Sequence, residues 1–482
     1  MAQHSIKKNF IMNALLTMSS FLFPIITFPY VSRVLLPAGT GRVQFAVAFV
    51  AYFDMFAQLG IPTYGVRACA RVRDDREKLS RMTHELLTIN LVMALVAYLA
   101  LSLCMVFVPR VRADWPLFAV VSITIVLNAI GMEWLYRALE QYSYITVRSI
   151  LFKAVSVVFM FLLIHSPEDY LLYGGITIFA SSASNILNFI NARKYVSVRP
   201  MGGYRFHRHW KSILIFFAMS CSITVYTNLD AVMLGFITTD ADVGYYLAAV
   251  KIKNILVSLV TALGTVLLPR ASYYIERGHL EEFHRITTKA LHFVIIAATP
   301  LALFFILFAR EGILFLSGTA YLPSVLPMQI IMPTVLLIGI TNVLGIQILV
   351  PLGKEKVVLY SVIAGALVDL IINALLIPRF ASSGAAIGTL VAEFVVFVVQ
   401  YIHLRSSIRP FLQRFPAGKV LCGLVLGCLC SIWVKRLDYG VFVHLLIAGV
   451  LFMGCYGLTL LALKDQLVTE IWGQIRKKVF RH

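Results

Sequence analysis

The chain has 482 residues, 60% of them hydrophobic and only 13% charged, with 42 Lys and Arg against 23 Asp and Glu for a net charge of +19. That composition excludes an ordinary soluble globular protein, and its basic balance is no sign of nucleic acid, because the cations concentrate beside apolar runs where anionic lipid headgroups are the natural counterpart. Seven cysteines (Cys69, Cys104, Cys221, Cys422, Cys428, Cys430, Cys455) show neither metal-ligand spacing nor a disulfide framework, and no GxxxxGK[ST] phosphate loop appears, which argues against ATP hydrolysis by the chain itself.

Fourteen apolar stretches follow one another, centred near Leu22, Tyr52, Ala97, Leu127, Val157, Phe179, Ser222, Val257, Ile295, Leu337, Leu367, Val395, Leu426 and Val450. Most are about 20 residues, the length a helix needs to cross ~30 Å of hydrocarbon. The first is too long for a signal-peptide core and reads as a retained helix. Counted by gap, the two termini and alternate loops carry 32 Lys and Arg and the intervening gaps carry 8. Basic loops resist translocation, so both termini are expected on the cytoplasmic side of a bacterial inner membrane. The run Arg67, Arg71, Arg73, Arg76, Lys78, Arg81 is then a topological signal. Gaps on the opposite side are short, such as 166–169 and 238–243, so no soluble domain is expected on either face.

A faint duplication underlies this layout. At an offset of 203 residues, Lys8 meets Lys211, Gly41 meets Gly244, Ala46-Val47 meets Ala249-Val250, and Arg67-Ala68 meets Arg270-Ala271. Both copies enter the membrane from the same side, which makes a parallel repeat about an axis along the membrane normal. The expected architecture is all-α and polytopic: fourteen transmembrane helices in two pseudo-symmetric six-helix lobes (1–200 and 201–405), followed by two further helices and a basic cytoplasmic tail (406–482). Pro24 and Pro29 are expected to interrupt the first helix, and Pro300, Pro327 and Pro333 the ninth and tenth.

Ionisable groups inside apolar segments are costly and by default face a bundle interior or an aqueous cavity. Asp54, Asp369 and Glu393 lie near the middle of their helices; a proton or Na+ could neutralise them and couple a gradient to a conformational cycle. Asp230 and Lys251 fall about 10 Å below the outer face on consecutive helices, by the helical rise. Lys251 shares a small, polar face with Gly244, Ala248, Asn254, Ser258 and Ala262. Lys253 shares the opposite one with Tyr246, Val250, Leu256, Val257 and Val260, so Lys251 and Asn254 are expected to look into a cavity. Lys251 and Lys253 are read here as the only basic residues inside an apolar stretch. Glu133 and Arg137 have the spacing of an intrahelical ion pair. His292 and His444 are read as packing residues. No catalytic group, metal site or cofactor is expected.

The segments "FPYVSRVLLPAGTGRVQFA" (28–46), "FAQLGIPTYGVR" (56–67), "EWLYRALEQYSYITVRSILFK" (133–153), "YTNLDAVMLGFI" (226–237), "VGYYLAAVKIKNI" (243–255), "ILVPLGKEK" (348–356) and "GAAIGTLVAEFV" (384–395) resemble, in order, Wzx-type O-antigen and polysaccharide flippases. These form the polysaccharide transporter branch of the multidrug/oligosaccharidyl-lipid/polysaccharide exporter superfamily. The resemblance implies two lobes in a V and passage of an undecaprenyl-pyrophosphate-linked oligosaccharide from the cytoplasmic to the periplasmic leaflet. It implies a transporter rather than an enzyme, with membrane lipids, an O-antigen polymerase and a chain-length regulator as partners and no nucleic acid. It also implies cationic cavity residues for the phosphates: Lys251 matches one such position, and Arg33 and Arg42 are candidates. The chain departs from the related lipid II flippases in having no Arg in helix one before Arg33, which leaves Arg67 and Arg270 at the cytoplasmic mouth as alternative phosphate contacts. Two other readings stay open. One is a membrane-embedded polymerase or glycosyltransferase, which the short outward loops disfavour. The other is a drug or cation exporter of the same fold.

Overall fold

In the computed structural model, which describes residues 6–437 and 439–479, the chain is built of helices, and no strand occurs among the described residues. Helix is what a lipid-embedded segment must adopt, since no water is present to satisfy its backbone. The helices are α1 (Ile6–Gln58), α2 (Ile61–Ala70), α3 (Arg76–Phe107), α4 (Pro109–Arg112), α5 (Trp115–Gly131), α6 (Glu133–Ala138), α7 (Tyr142–Leu163), α8 (Tyr170–Ile178), α9 (Asn185–Asn191) and α10 (Trp210–Ile237). They continue as α11 (Asp240–Glu276), α12 (Leu280–Leu307), α13 (Ala309–Ser317), α14 (Val325–Ile331), α15 (Thr334–Asn342), α16 (Glu355–Arg414), α17 (Ala417–Ile432), α18 (Val441–Ala462) and α19 (Gln466–Val479).

Among the described residues, ten helices are long and apolar enough to cross a membrane, or eleven if the pair Thr319–Ile331 and Thr334–Leu349, bent by 45°, is one span. The fourteen stretches map onto fewer long helices because two pairs run together and the stretch near Phe179 is divided into α8, a π-helical turn and α9. Ile11–Ala70 covers 60 residues, which as a straight rod would measure about 90 Å, roughly three times the hydrocarbon thickness. It is broken at Leu36 (φ 58°, ψ 176°), where the ring of the following Pro37 disfavours helical backbone. Glu355–Arg405, 51 residues long, is also broken, at Ala381 (φ 45°, ψ −125°), where no proline follows. The helix runs on through Pro24 and Pro29, so the expectation that they interrupt it is corrected. Pro300 and Pro327 likewise lie inside helices, while Pro333 sits at the 45° bend.

Large apolar side chains point outward. On α3, Leu95, Leu99 and Leu103 are each about 60% exposed while Asn90, Ala94, Ala97 and Leu101 on the other side are buried. An apolar stripe outside and small or polar residues inside suits helices solvated by lipid. The chain packs into two compact units, Met1–Gly244 and Tyr245–His482. In the first, α1 lies against α3, α5, α7 and α10, with Ile61, Leu79, Leu86, Trp134 and Ile213 in a buried cluster at the basic end. In the second, α12 packs on α15, and the α17–α18 hairpin joins it through Phe304, Phe308, Phe452 and Tyr456. This packing break falls near the start of α11, whereas the repeat read from the sequence begins its second copy at 201.

Candidate functional site

The first unit carries a chain of buried polar groups. Arg148, on α7 and 5% exposed, donates to the Ser184 carbonyl at 3.0 Å and to Asn185 Oδ1 at 3.3 Å. Asn185 donates through Nδ2 to Asn128 Oδ1 at 3.1 Å, and Asn128 donates in turn to Asp54 Oδ2 at 3.0 Å. Every donor points the same way, from a buried guanidinium through two amides to a carboxylate at mid-helix. Such a series polarises along its length and links two charges that do not touch. Glu133 closes the far end, 3.5 Å from Arg148 and 2.6 Å from Arg137, so the expected Glu133–Arg137 pair is present and has a second cation. A π-helical turn at Phe179–Ala183 sits just before Ser184 and Asn185, a widening often found at functional positions.

Arg148 was missed in the sequence, and so was Lys153, whose ammonium donates to the Ser19 and Ser20 hydroxyls at 3.0 and 2.9 Å. Both were counted with a basic loop, yet both lie inside α7, a candidate membrane span. Lys251 and Lys253 are therefore not the only cations within apolar helices. Asn128 and Asn185 carry no charge to mark them, yet an amide in an apolar run is the same kind of signal.

A second cluster lies at the basic end. The Glu85 carboxylate is fully buried on α3 and accepts from Arg208 at 2.6 Å, His209 Nε2 at 2.7 Å and the Arg205 backbone N–H at 2.6 Å. Tyr64 of α2 meets His209 Nδ1 at 2.8 Å, and His84 reaches the Ser197 carbonyl at 2.7 Å. Residues 197–209 are thereby tied to α2 and α3. Arg67 is exposed in the last turn of α2.

Arg42 is ion-paired to Asp240 at 3.0 Å at the opposite end of the unit, and Arg33 is exposed with its guanidinium on the Pro29 carbonyl at 2.5 Å. Asp230 is buried on α10. In the second unit, Lys251 and Lys253 are both half-buried on α11. Tyr246, Leu256 and Val260 on the Lys253 side of that helix are buried, as are Gly244 and Ala248 on the Lys251 side, where Asn254 is exposed. Arg270 is exposed further along the same helix.

Asp369 and Asn373 lie one turn apart on α16, 2% and 0% exposed. The break at Ala381 folds the second half of α16 back on the first, and a Cβ at Gly388 would collide with Asn373 Oδ1 and come within 2.9 Å of Asp369 Oδ1. The bare glycine makes the room those oxygens occupy. Thr389 is 2.8 Å from the Tyr246 hydroxyl, Glu393 is buried one turn on, and Gln400 donates to Ser361 at 3.1 Å. His444 is buried with its ring edge-on to Phe308, as packing predicts, but His292 also stands 3.2 Å from Asp465. Among the described residues no group of three or more His, Cys, Asp or Glu could hold a metal ion.

The chain matches the family model described as polysaccharide biosynthesis protein over residues 6–275, more than half its length. It belongs to that family. A second model, MatE, matches residues 216–375. Two relatives carry the name "Putative O-antigen transporter". The one from Escherichia coli (strain K12) is 24% identical over 84% of this chain and 97% of its own length; the one from Shigella dysenteriae is 25% identical over 81% and 98%. Among solved structures, the lipid II flippase MurJ in an inward closed conformation superposes with a TM-score of 0.63 at 14% identity, over 94% of this chain and 100% of that one. An inward-facing multidrug resistance MATE family transporter of the MOP superfamily gives 0.62 at 13% identity, over 84% and 99%. At 13–14% identity these two likenesses show that the chain shares the fold of those two structures.

Proposed function

We propose that the chain is a flippase that carries lipid-linked O-antigen repeat units across the bacterial inner membrane, from the cytoplasmic to the periplasmic leaflet, and that it is not an enzyme. The observation that carries this reading is the match to relatives named as O-antigen transporters over 97% and 98% of their length. The physics suits the task. A diphosphate bearing several sugars cannot cross hydrocarbon unaided, because desolvating it costs far more than thermal energy. Helices that put lipid-compatible leucines outside and amides, carboxylates and cations inside are suited to sheltering such a headgroup while its lipid tail stays in the bilayer.

The carrier in this proposal is undecaprenyl pyrophosphate, moved by alternating access between lobes 1–200 and 201–405, with the polymerase and chain-length regulator acting downstream. The charge asymmetry of the loops supports cytoplasmic termini. Asp54, Asp369 and Glu393, set inside helices that otherwise carry apolar surface, are the proposed coupling residues for H+ or Na+. Lys251, Asp230, Asn254, Arg33, Arg42, Arg67 and Arg270 are the proposed headgroup contacts. The test in cells is deletion of the gene. Lipid-linked repeat units should then accumulate facing the cytoplasm, and normal polymerisation in the deletion strain would contradict the reading.

A further inference from the structure

The cluster around Arg42 has the form of an occupied anion site. Arg42 donates through Nε to Asp240 Oδ2 at 3.0 Å, and Arg110 donates from a terminal nitrogen to Oδ1 of the same carboxylate. One carboxylate thus takes two guanidiniums, one on each oxygen, which is the arrangement proteins use to recognise oxyanions. Both cations rest on platforms of their own. The Arg42 guanidinium lies 5.2 Å from the Tyr170 ring centroid and that of Arg110 lies 5.3 Å from the Phe45 centroid. The arginine side chains are 44% and 35% exposed, while that of Asp240 is 13% exposed, so the seat is open to solvent on the arginine side. A second carboxylate, Asp114, is nearby but accepts from the Tyr170 hydroxyl at 3.1 Å. Were Asp240 withdrawn, two cations would face that one remaining acid.

Asp240 also sits where the two repeat copies meet. A Cβ on Gly41 would collide with the Asp240 carbonyl oxygen, and one on Gly244 would collide with the Pro37 carbonyl oxygen. Pro37 to Asp240 and Gly41 to Gly244 are each separated by the repeat offset of 203. The contact is therefore isologous: segment 37–41 of the first copy and segment 240–244 of the second clasp each other reciprocally. Parting the two segments would draw Asp240 away from Arg42 and Arg110, which belong to the first copy, while Arg110 also donates through Nε to the Gly235 carbonyl of the second at 2.9 Å.

We propose that Arg42 and Arg110 form a phosphate-binding seat that Asp240 fills while the clasp is shut, and that a phosphate or diphosphate ester takes Asp240's place when it opens. This rests on the flippase reading for the ligand's origin, and its test reads binding rather than transport. Full-length protein in phosphatidylcholine nanodiscs is titrated calorimetrically with inorganic pyrophosphate. Asp240→Asn, which keeps the shape of the side chain and removes its charge, should bind about tenfold more tightly than the unmodified protein, a modest gain for freeing two cations. Asp240→Asn combined with Arg42→Gln or with Arg110→Gln should lose the gain. If Asp240→Asn is unstable, Asp240→Ser is the second variant, with the same expectation. Repeating the titration in phosphatidylglycerol nanodiscs identifies the source: competition marks a bilayer headgroup as able to fill the seat, and its absence leaves the free or carrier-linked diphosphate. No gain in either Asp240 variant, or a gain that survives both arginine replacements, overturns the site even if flipping is intact. A gain with the predicted arginine dependence in a protein that does not flip would uphold the seat and reject the flippase reading.

Discussion

Single side chains carry costs here that the apolar background magnifies. Glu85 holds Arg208 and His209 in a place with little water, so Glu85→Ala strands a buried imidazole and a half-exposed guanidinium. We expect a loss of about 2–3 kcal/mol, below the value for a fully buried pair because Arg208 is partly solvated. A lowered thermal midpoint in mild detergent, with faster amide exchange over 197–209, would show it; unchanged exchange there would mean the cluster does not hold the linker. On α11, the exposed Asn254 one turn from Lys251 gives a second expectation. At equal expression Lys251→Ala should impair transport more than Lys253→Ala, and equal effects would sink the face assignment. The mid-helix carboxylates were legible from the rule that charges in lipid are placed for a reason. Their partners were not. Asn128 and Asn185 have no charge to draw attention, and Arg148 stands close enough to the Glu133–Arg137 turn to be taken for part of a loop.

At the level of elements, the apolar stretches were legible and their breaks were not. Four prolines in the first two stretches and the following loops compete as break points, and the break at Leu36–Pro37 coincides with the close approach to segment 240–244, a contact between residues about 200 apart. Gly41 and Gly244 are the means of that approach. Gly244→Val should push the two segments apart, so that a cysteine label at the neighbouring exposed Ala38 reacts faster with a water-soluble maleimide than it does with Gly244 intact. Unaltered reactivity would show that the segments are not in contact in the membrane. The loop at 165–169 offers a pH test. The backbone N–H groups of His165 and Ser166 hold the Asp169 carboxylate below the ordinary range for an acid. A depressed value means stabilisation that is present above the unfolded carboxylate range and lost as pH falls through the folded one. Exchange at those two amides, corrected for intrinsic rate, should stay flat from neutral pH to about 5 and rise only well below the usual carboxylate range. A rise near neutrality would contradict the cap.

For the whole molecule, membrane class and helical architecture could be read from hydropathy alone, because continuous apolar runs of about 20 residues fit a spanning helix and not the short alternating strands of a barrel. The repeat was visible as a few matched residues, and two of its matched positions, Gly41 and Gly244, make close approaches to Asp240 and Pro37. The central claim is translocation of a carrier-linked sugar headgroup. It is tested most directly in sealed proteoliposomes bearing the purified protein and an undecaprenyl diphosphate carrying a fluorescent oligosaccharide, with a membrane-impermeant glycosidase outside. The account predicts that the enzyme consumes the inner-leaflet share of label only when the protein is present. Label that remains as protected as in protein-free vesicles, in both inside and outside orientations of the protein and with a proton or Na+ gradient of either sign, would contradict it.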